Sequence, residues 1–145
     1  MVQRHVFDPL DDPRLHAFVV WGPMLGEEVR SDAVEATRFL DDERTTHFWT
    51  TGNAVAARFS GPLGLPEDEL AWDTFLLFSP GQLWSEDESP QPAFFMHVGR
   101  SLPDALRLHA PTIRRRAEEM LDGDGDGGDG DGGDGEASGR LPADG

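Results

Sequence analysis

Three residues in separate apolar stretches carry side chains able to hold a metal or move a proton. They are His47 in Thr45-Thr46-His47-Phe48-Trp49, Asp73 in Ala71-Trp72-Asp73-Thr74-Phe75-Leu76-Leu77-Phe78, and His97 in Ala93-Phe94-Phe95-Met96-His97-Val98. Two imidazoles and a carboxylate are the donor set of a two-His-one-carboxylate metal site. They would equally suit a hydrolytic or proton-transfer enzyme in which Asp73 orients a histidine or accepts a proton. Met24 and Met96 add soft sulfur donors. None of the spacings is diagnostic, because each group comes from a different segment. A plainer reading stands beside this one. Each histidine then meets a single hydrogen-bond partner, Asp73 satisfies backbone donors at a strand start, and the methionines fill core gaps.

Four tryptophans and no tyrosine are notable in 145 residues. Trp21, Trp49 and Trp72, gathered at one end of a sheet, would line an aromatic recess for a small apolar ligand or a partner's side chain. The alternative is core packing.

Other chemistry is excluded or unsupported. The chain has no cysteine, so disulfides, thiol nucleophiles, cysteine zinc sites and iron–sulfur clusters are ruled out. It has no nucleophile elbow, phosphate loop, zinc signature or dinucleotide fingerprint, and no cofactor is expected. Asp122, Asp124, Asp126 and Gly127 fit the first positions of a calcium loop, but Gly133 falls where a bidentate carboxylate is needed. Arg114-Arg115-Arg116 is answered by Glu118 and Glu119 at helical spacing and reads as a solvated face.

The formal charge is −16. Residues 122–145 hold seven Asp and one Glu against one Arg, a net of −7; the remainder holds 20 acids against 11 Arg, a net of −9. An acidic body argues against nucleic acid and anionic membranes as partners, both of which need clustered basic charge. Acid excess without any lysine fits a salt-loving archaeon, where a hydrated acidic surface stays soluble; a GC-rich genome is the rival explanation. No stretch approaches a membrane span, and the start of the chain lacks the pattern of a secretory signal. The expectation is a soluble cytoplasmic protein.

Several elements must position these groups. Residues 1–14, polar and with Pro9 and Pro13, are expected to form an irregular lead-in. Residues 15–21 form an apolar run stopped by Gly22-Pro23 and predict a buried strand. Ser31 or Asp32 caps a first helix, with Asp32 and Glu35 at capping-box spacing. Residues 45–49 predict a second strand. Thr50-Thr51-Gly52-Asn53 precedes a second helix, which Gly61-Pro62 ends. Residues 71–84 predict a hairpin turned by Ser79-Pro80-Gly81, residues 93–98 a further strand, and Pro111 the first turn of a last helix. From Asp122 the Asp-Gly repeats offer no apolar surface to offset ordering entropy, and disorder is expected over 122–145.

This β-α-β-α-β-β-α order is what a thioredoxin-like core requires: an α/β three-layer sandwich with a mixed central sheet, here over residues 15–121. Four landmarks add to it: Trp21-Gly22-Pro23-Met24-Leu25, His47-Phe48-Trp49, Trp72-Asp73-Thr74-Phe75-Leu76-Leu77-Phe78 and Phe95-Met96-His97. They resemble a group of cysteine-poor thioredoxin-like proteins of bacteria and archaea, whose pattern runs Trp-x-Pro-Met, His-aromatic-Trp-Asp, Trp-Asp-x-aromatic-Leu-Leu and Trp-Met-His. Thr50 stands where the group has Asp, and Phe95 where it has Trp. Gly22-Pro23-Met24-Leu25 replaces the redox Cys-x-x-Cys of true thioredoxins, and Trp72-Asp73 replaces their cis-proline. The resemblance implies a redox-inactive module that binds a protein or small molecule at Trp21, Pro23, Met24, His47, Trp49, Trp72, Asp73 and His97.

Overall fold

The computed structural model describes residues 2–23, 29–85, 88–99 and 101–125. It opens with a short π-helical turn, Gln3–Phe7, followed by strand β1 (Ala17–Trp21). Helix α1 (Arg30–Ala36) runs into a 3-10 segment (Thr37–Leu40) and leads to β2 (Thr45–Trp49) and α2 (Ala54–Ser60). Strands β3 (Thr74–Leu77) and β4 (Phe94–His97), a 3-10 turn (Asp104–Leu106) and α3 (Ala110–Gly125) complete it. The architecture is mixed α/β. Among the described residues no helix is long and apolar enough to cross a membrane.

β1 and β2 pair in parallel, with Ala17 opposite Thr45 and Trp21 opposite Trp49. β3 and β4 pair antiparallel, with Thr74 opposite His97 and Leu77 opposite Phe94. Among the described residues these are two separate two-stranded sheets. Among the described residues no ladder joins the two pairs into the one mixed sheet expected from the sequence. The two sheets meet through side chains: Ala17 of β1 packs into the cluster that Phe75, Leu77 and Phe94 also join.

Local chemistry accounts for the elements. At the start of α1 it is Val29, in an extended conformation, that precedes the helix. The Asp32 carboxylate reaches back to the Val29 N–H at 3.1 Å. Asp32 thus acts from inside the first turn rather than as the cap itself. α2 begins after Asn53, whose carbonyl accepts the Ala57 N–H at 2.8 Å. The segment after β3 departs from the expected hairpin. Gly81 adopts a positive φ of 77°, and Leu83 and Trp84 do not return along β3. Trp84 instead packs edge-on against Phe59, with centroids 5.0 Å apart, leaving the edge of β3 to Phe94–His97. α3 continues to Gly125, past Asp122; residues 126–145 of the Asp-Gly segment lie outside the described residues.

The second sheet has a covered face on each side. Phe75, Leu77, Phe94 and Met96 point to a cluster with Val6, Phe7 and Ile113. Leu76 and Phe95, with Phe78, point to a cluster of Phe59, Leu63, Ala71 and Leu102. This is the period-two alternation of a strand buried on both faces. α3 and the N-terminal turn cover the first face, and α2 covers the second.

The lead-in is a correction. Val6 and Phe7 are core residues, with Val2 and Leu10 packed against them. Val2, Val6 and Leu10 recur every four residues and so share one helical face, which the flanking charges and prolines obscure.

Arg44, just before β2, ties this turn down. Its guanidinium donates to the carbonyls of Phe7, Leu10 and Asp12, lies 4.9 Å above the Phe7 ring, and pairs with Asp42 at 2.8 Å. Only 12% of the Arg44 side chain and 13% of the Asp42 side chain are exposed. Hydrogen bonds from the Arg44 side chain, then from its backbone N–H, hold the Asp42 carboxyl well below the ordinary carboxylate range. The resulting stabilisation is fully present above about pH 4, where an unfolded aspartate is ionised. It is lost as pH falls toward the lowered folded value. Asp42→Asn should therefore flatten the acid side of a urea-midpoint profile. Arg44→Met should cost about 2–3 kcal/mol at neutral pH; a wild-type midpoint in that variant would refute the tie.

Candidate functional site

The carboxyl ends of β1 and β2 bring four of the candidate residues together. Alternation along the strands sends Ala17, Val19 and Trp21, and Thr45, His47 and Trp49, to a half-buried face. Phe18, Val20 and Phe48 stand on the opposite, exposed face, Phe18 with 71% of its surface in solvent.

On the half-buried face the Trp21 indole N–H donates to His47 Nδ1 at 3.1 Å. His47 Nε2 lies 3.0 Å from the carbonyl of Leu40, in the 3-10 segment. An indole nitrogen only donates and a carbonyl only accepts. His47 therefore carries its proton on Nε2 and offers a lone pair at Nδ1. The two rings are nearly parallel, 18° apart with centroids at 6.1 Å. Trp49 stands opposite Trp21 in the register.

Beyond Trp21 the chain leaves through Gly22 and Pro23. The Thr50 N–H donates to the Trp21 carbonyl at 2.8 Å, and the Thr50 hydroxyl donates to the Gly52 carbonyl at 2.6 Å. A Cβ at position 22 would stand 3.0 Å from that hydroxyl, so glycine keeps this exit close to the β2 loop. Pro23 is half-buried beside it. Met24 lies outside the described residues.

The other three candidates belong to the second sheet. Trp72 and Asp73, both exposed, precede β3. Asp73 has a φ of 51°, a left-handed conformation that aspartate tolerates better than most residues. Its carbonyl accepts the Val98 N–H at 3.0 Å. His97 is fully buried, its Nδ1 3.0 Å from the Gly99 carbonyl and its Nε2 3.0 Å from the Pro103 carbonyl.

The grouping of His47, Asp73 and His97 is therefore split. His47 sits on one sheet and the other two on the second. Both ring nitrogens of each histidine face protein partners. Among the described residues no three of His, Asp or Glu converge on a common point where a metal could sit. The arrangement at β1–β2 is an aromatic one: two indoles and an imidazole whose orientation is set by hydrogen bonds to Trp21 and Leu40. A broad, open depression of about 710 Å³ lies elsewhere, lined by Arg58, Pro62, Leu83, Ser85, Pro90 and Gln91 among others. None of the candidate residues lines it.

Sequence reasoning did not find Thr50 and Leu40 as supports of this end. The β2–α2 loop composition pointed to Thr50 only as turn chemistry, and the role of Leu40 is played by its carbonyl. No family model, curated protein or solved structure matches the chain.

Trp21→Phe keeps a ring at this position and removes the donor. We expect a loss of about 1 kcal/mol and, in nitrogen-15 spectra of the imidazole, a mixture of His47 tautomers in place of one. A single unchanged tautomer would show that the indole does not set the ring.

Proposed function

We propose that this chain is a binding module without redox chemistry, which takes an apolar or aromatic group at the end of β1–β2 formed by Trp21, His47 and Trp49. The observation that carries this reading is the Trp21–His47–Leu40 hydrogen-bond chain. It fixes a half-exposed indole opposite a second indole, so little side-chain entropy is lost on contact. The location supports it too, since ligands of parallel α/β sheets gather outside the carboxyl ends of the strands. The exposed row of Phe18, Val20 and Phe48 on the other face of the same strands favours a protein side chain over a small molecule as the occupant.

The finer reading of the scaffold is thioredoxin-like. It is supported by the element order and by a parallel first pair followed by an antiparallel second pair. The absence of cysteine from the sequence leaves such a scaffold without dithiol chemistry. An acidic, lysine-free composition supports a halophilic cytoplasm as its setting and disfavours nucleic acid as its partner.

The test uses the whole chain labelled with 5-fluorotryptophan, giving one fluorine resonance for each of the four tryptophans. It is titrated with neutral aromatic and aliphatic fragments, then with peptides carrying one aromatic residue. Trp21 and Trp49 should shift together and saturate while Trp84 stays fixed, and Trp49→Ala should abolish the response at Trp21. Shifts confined to Trp72 and Trp84, or none at any resonance, would overturn the assignment.

A further inference from the structure

We propose that Trp72 and Asp73 form a binding point for a guanidinium group, separate from the aromatic end of β1–β2. Among the described residues Asp73 alone of the non-glycines has a positive φ, 51°. The backbone accounts for that conformation. The Asp73 carbonyl accepts the Val98 N–H at 3.0 Å, one step past the Thr74–His97 pair of the ladder. It does not account for the carboxylate. A glycine would take a left-handed φ with no Cβ to accommodate. Aspartate suits such positions partly because its side chain can bond the backbone nearby. Here the carboxylate makes no hydrogen bond or ion pair among the described residues. The residue is exposed, and its charge is available to a group from outside.

Trp72 stands beside it, 44% exposed. It joins neither apolar cluster, and its indole makes no ring contact or hydrogen bond among the described residues. Along an extended strand consecutive side chains leave on opposite faces. The left-handed step at Asp73 interrupts that alternation, and both residues are exposed. The step is pinned at both ends. The Ala71 N–H donates to the Ala56 carbonyl at 3.1 Å, and Ala71 is buried with Phe59, Leu63 and Leu102; at the other end Asp73 holds Val98. Indole and carboxylate thus stand on a backbone ordered before any ligand arrives, which lowers the entropy cost of binding.

An indole face attracts a cation through its quadrupole, and a carboxylate does so through its charge. A guanidinium answers both: its plane stacks on a ring, and its edge presents two parallel N–H donors to a carboxylate. An ammonium is a point charge and more strongly hydrated. The surrounding charge favours a cation from outside. Glu67, Asp68 and Glu69 precede the pair in the chain, whose net charge of −16 draws cations. Arg107, which reaches the end of β4, is already committed. It donates to the Val98 carbonyl at 2.8 Å and pairs with Asp104 at 3.0 Å. Arg100 lies outside the described residues.

The experiment titrates the full chain, labelled with 5-fluorotryptophan, at constant ionic strength. The probes are methylguanidinium, a capped peptide whose only charge is an arginine, and the lysine counterpart of that peptide. The Trp72 resonance should shift and saturate with both guanidinium probes while Trp21 and Trp49 stay fixed, and the lysine peptide should bind more weakly. Equal affinity for the two guanidinium probes would assign a small guanidino compound as the ligand; tighter binding of the peptide would assign a partner's arginine side chain. Asp73→Asn should weaken binding about fivefold, the worth of one exposed charge pair. Asp73→Gly should weaken it as much without lowering the urea midpoint, since glycine suits the backbone there. No saturable shift at Trp72, equal binding of the lysine peptide, unchanged affinity in Asp73→Asn, or a lowered midpoint in Asp73→Gly would overturn the proposal.

Discussion

The guanidinium of Arg44 gathers carbonyls from a segment more than thirty residues away, and much of the arrangement follows from that contact. An isolated two-stranded sheet is marginal in water, and a parallel pair is usually covered on both faces. Here β1 and β2 are steadied from one end. The planar fork of Arg44 joins the carbonyls of Phe7, Leu10 and Asp12 to the start of β2, with the Phe7 ring beneath it. Asp42 answers the charge within the same cluster, so a nearly buried cation is not left alone. The N-terminal turn is thereby pressed onto Met96 and Ile113. The beginning of β2 is also fixed three residues before His47.

The same solution recurs across the molecule. Short strands in small sheets leave many loop carbonyls without a ladder partner, and buried ones must be satisfied by other means. Side chains supply the donors. His47 serves the Leu40 carbonyl, the Ser60 hydroxyl that of Glu69, Gln91 that of Pro62, Arg107 that of Val98, and Arg14 that of Leu121 near the end of α3. Polar residues that resemble catalytic groups in a sequence are here spent on holding connections in place.

This explains which features were legible in the sequence. β2 follows residues 45–49 with its alternation intact, because aromatic and β-branched residues meet a half-buried face. α2 stops at Gly61-Pro62, and the face of α3 bearing Ile113 and Ala117 is buried. Local signals sufficed for these. The partner of β3 was not legible, since Gln82-Leu83-Trp84 is as apolar as a second arm would be. Trp84 instead packs against Phe59 and Phe78. The burial of Val6 and Phe7 depends on carbonyl contacts to a distant arginine, which no window of the lead-in contains. At the candidate site, Trp21, His47 and Trp49 were found from residue type. Their separation from Asp73 and His97 follows from the two sheets sharing no backbone ladder among the described residues.

The two histidines show why residue type alone left the choice between chemistry and binding open. A general base or metal ligand needs a nitrogen free to face a substrate or ion. His47 gives one nitrogen to an indole donor and the other to a carbonyl, while His97 is enclosed between two carbonyls. Neither presents a free lone pair to solvent. What stands at the end of β1–β2 is aromatic surface: the Trp21 indole, held by its hydrogen bond to His47, and the Trp49 indole opposite it in the register. Under the proposed reading such a surface would recognise shape and apolar area, and the exposed Phe18, Val20 and Phe48 on the reverse of the same strands would extend it.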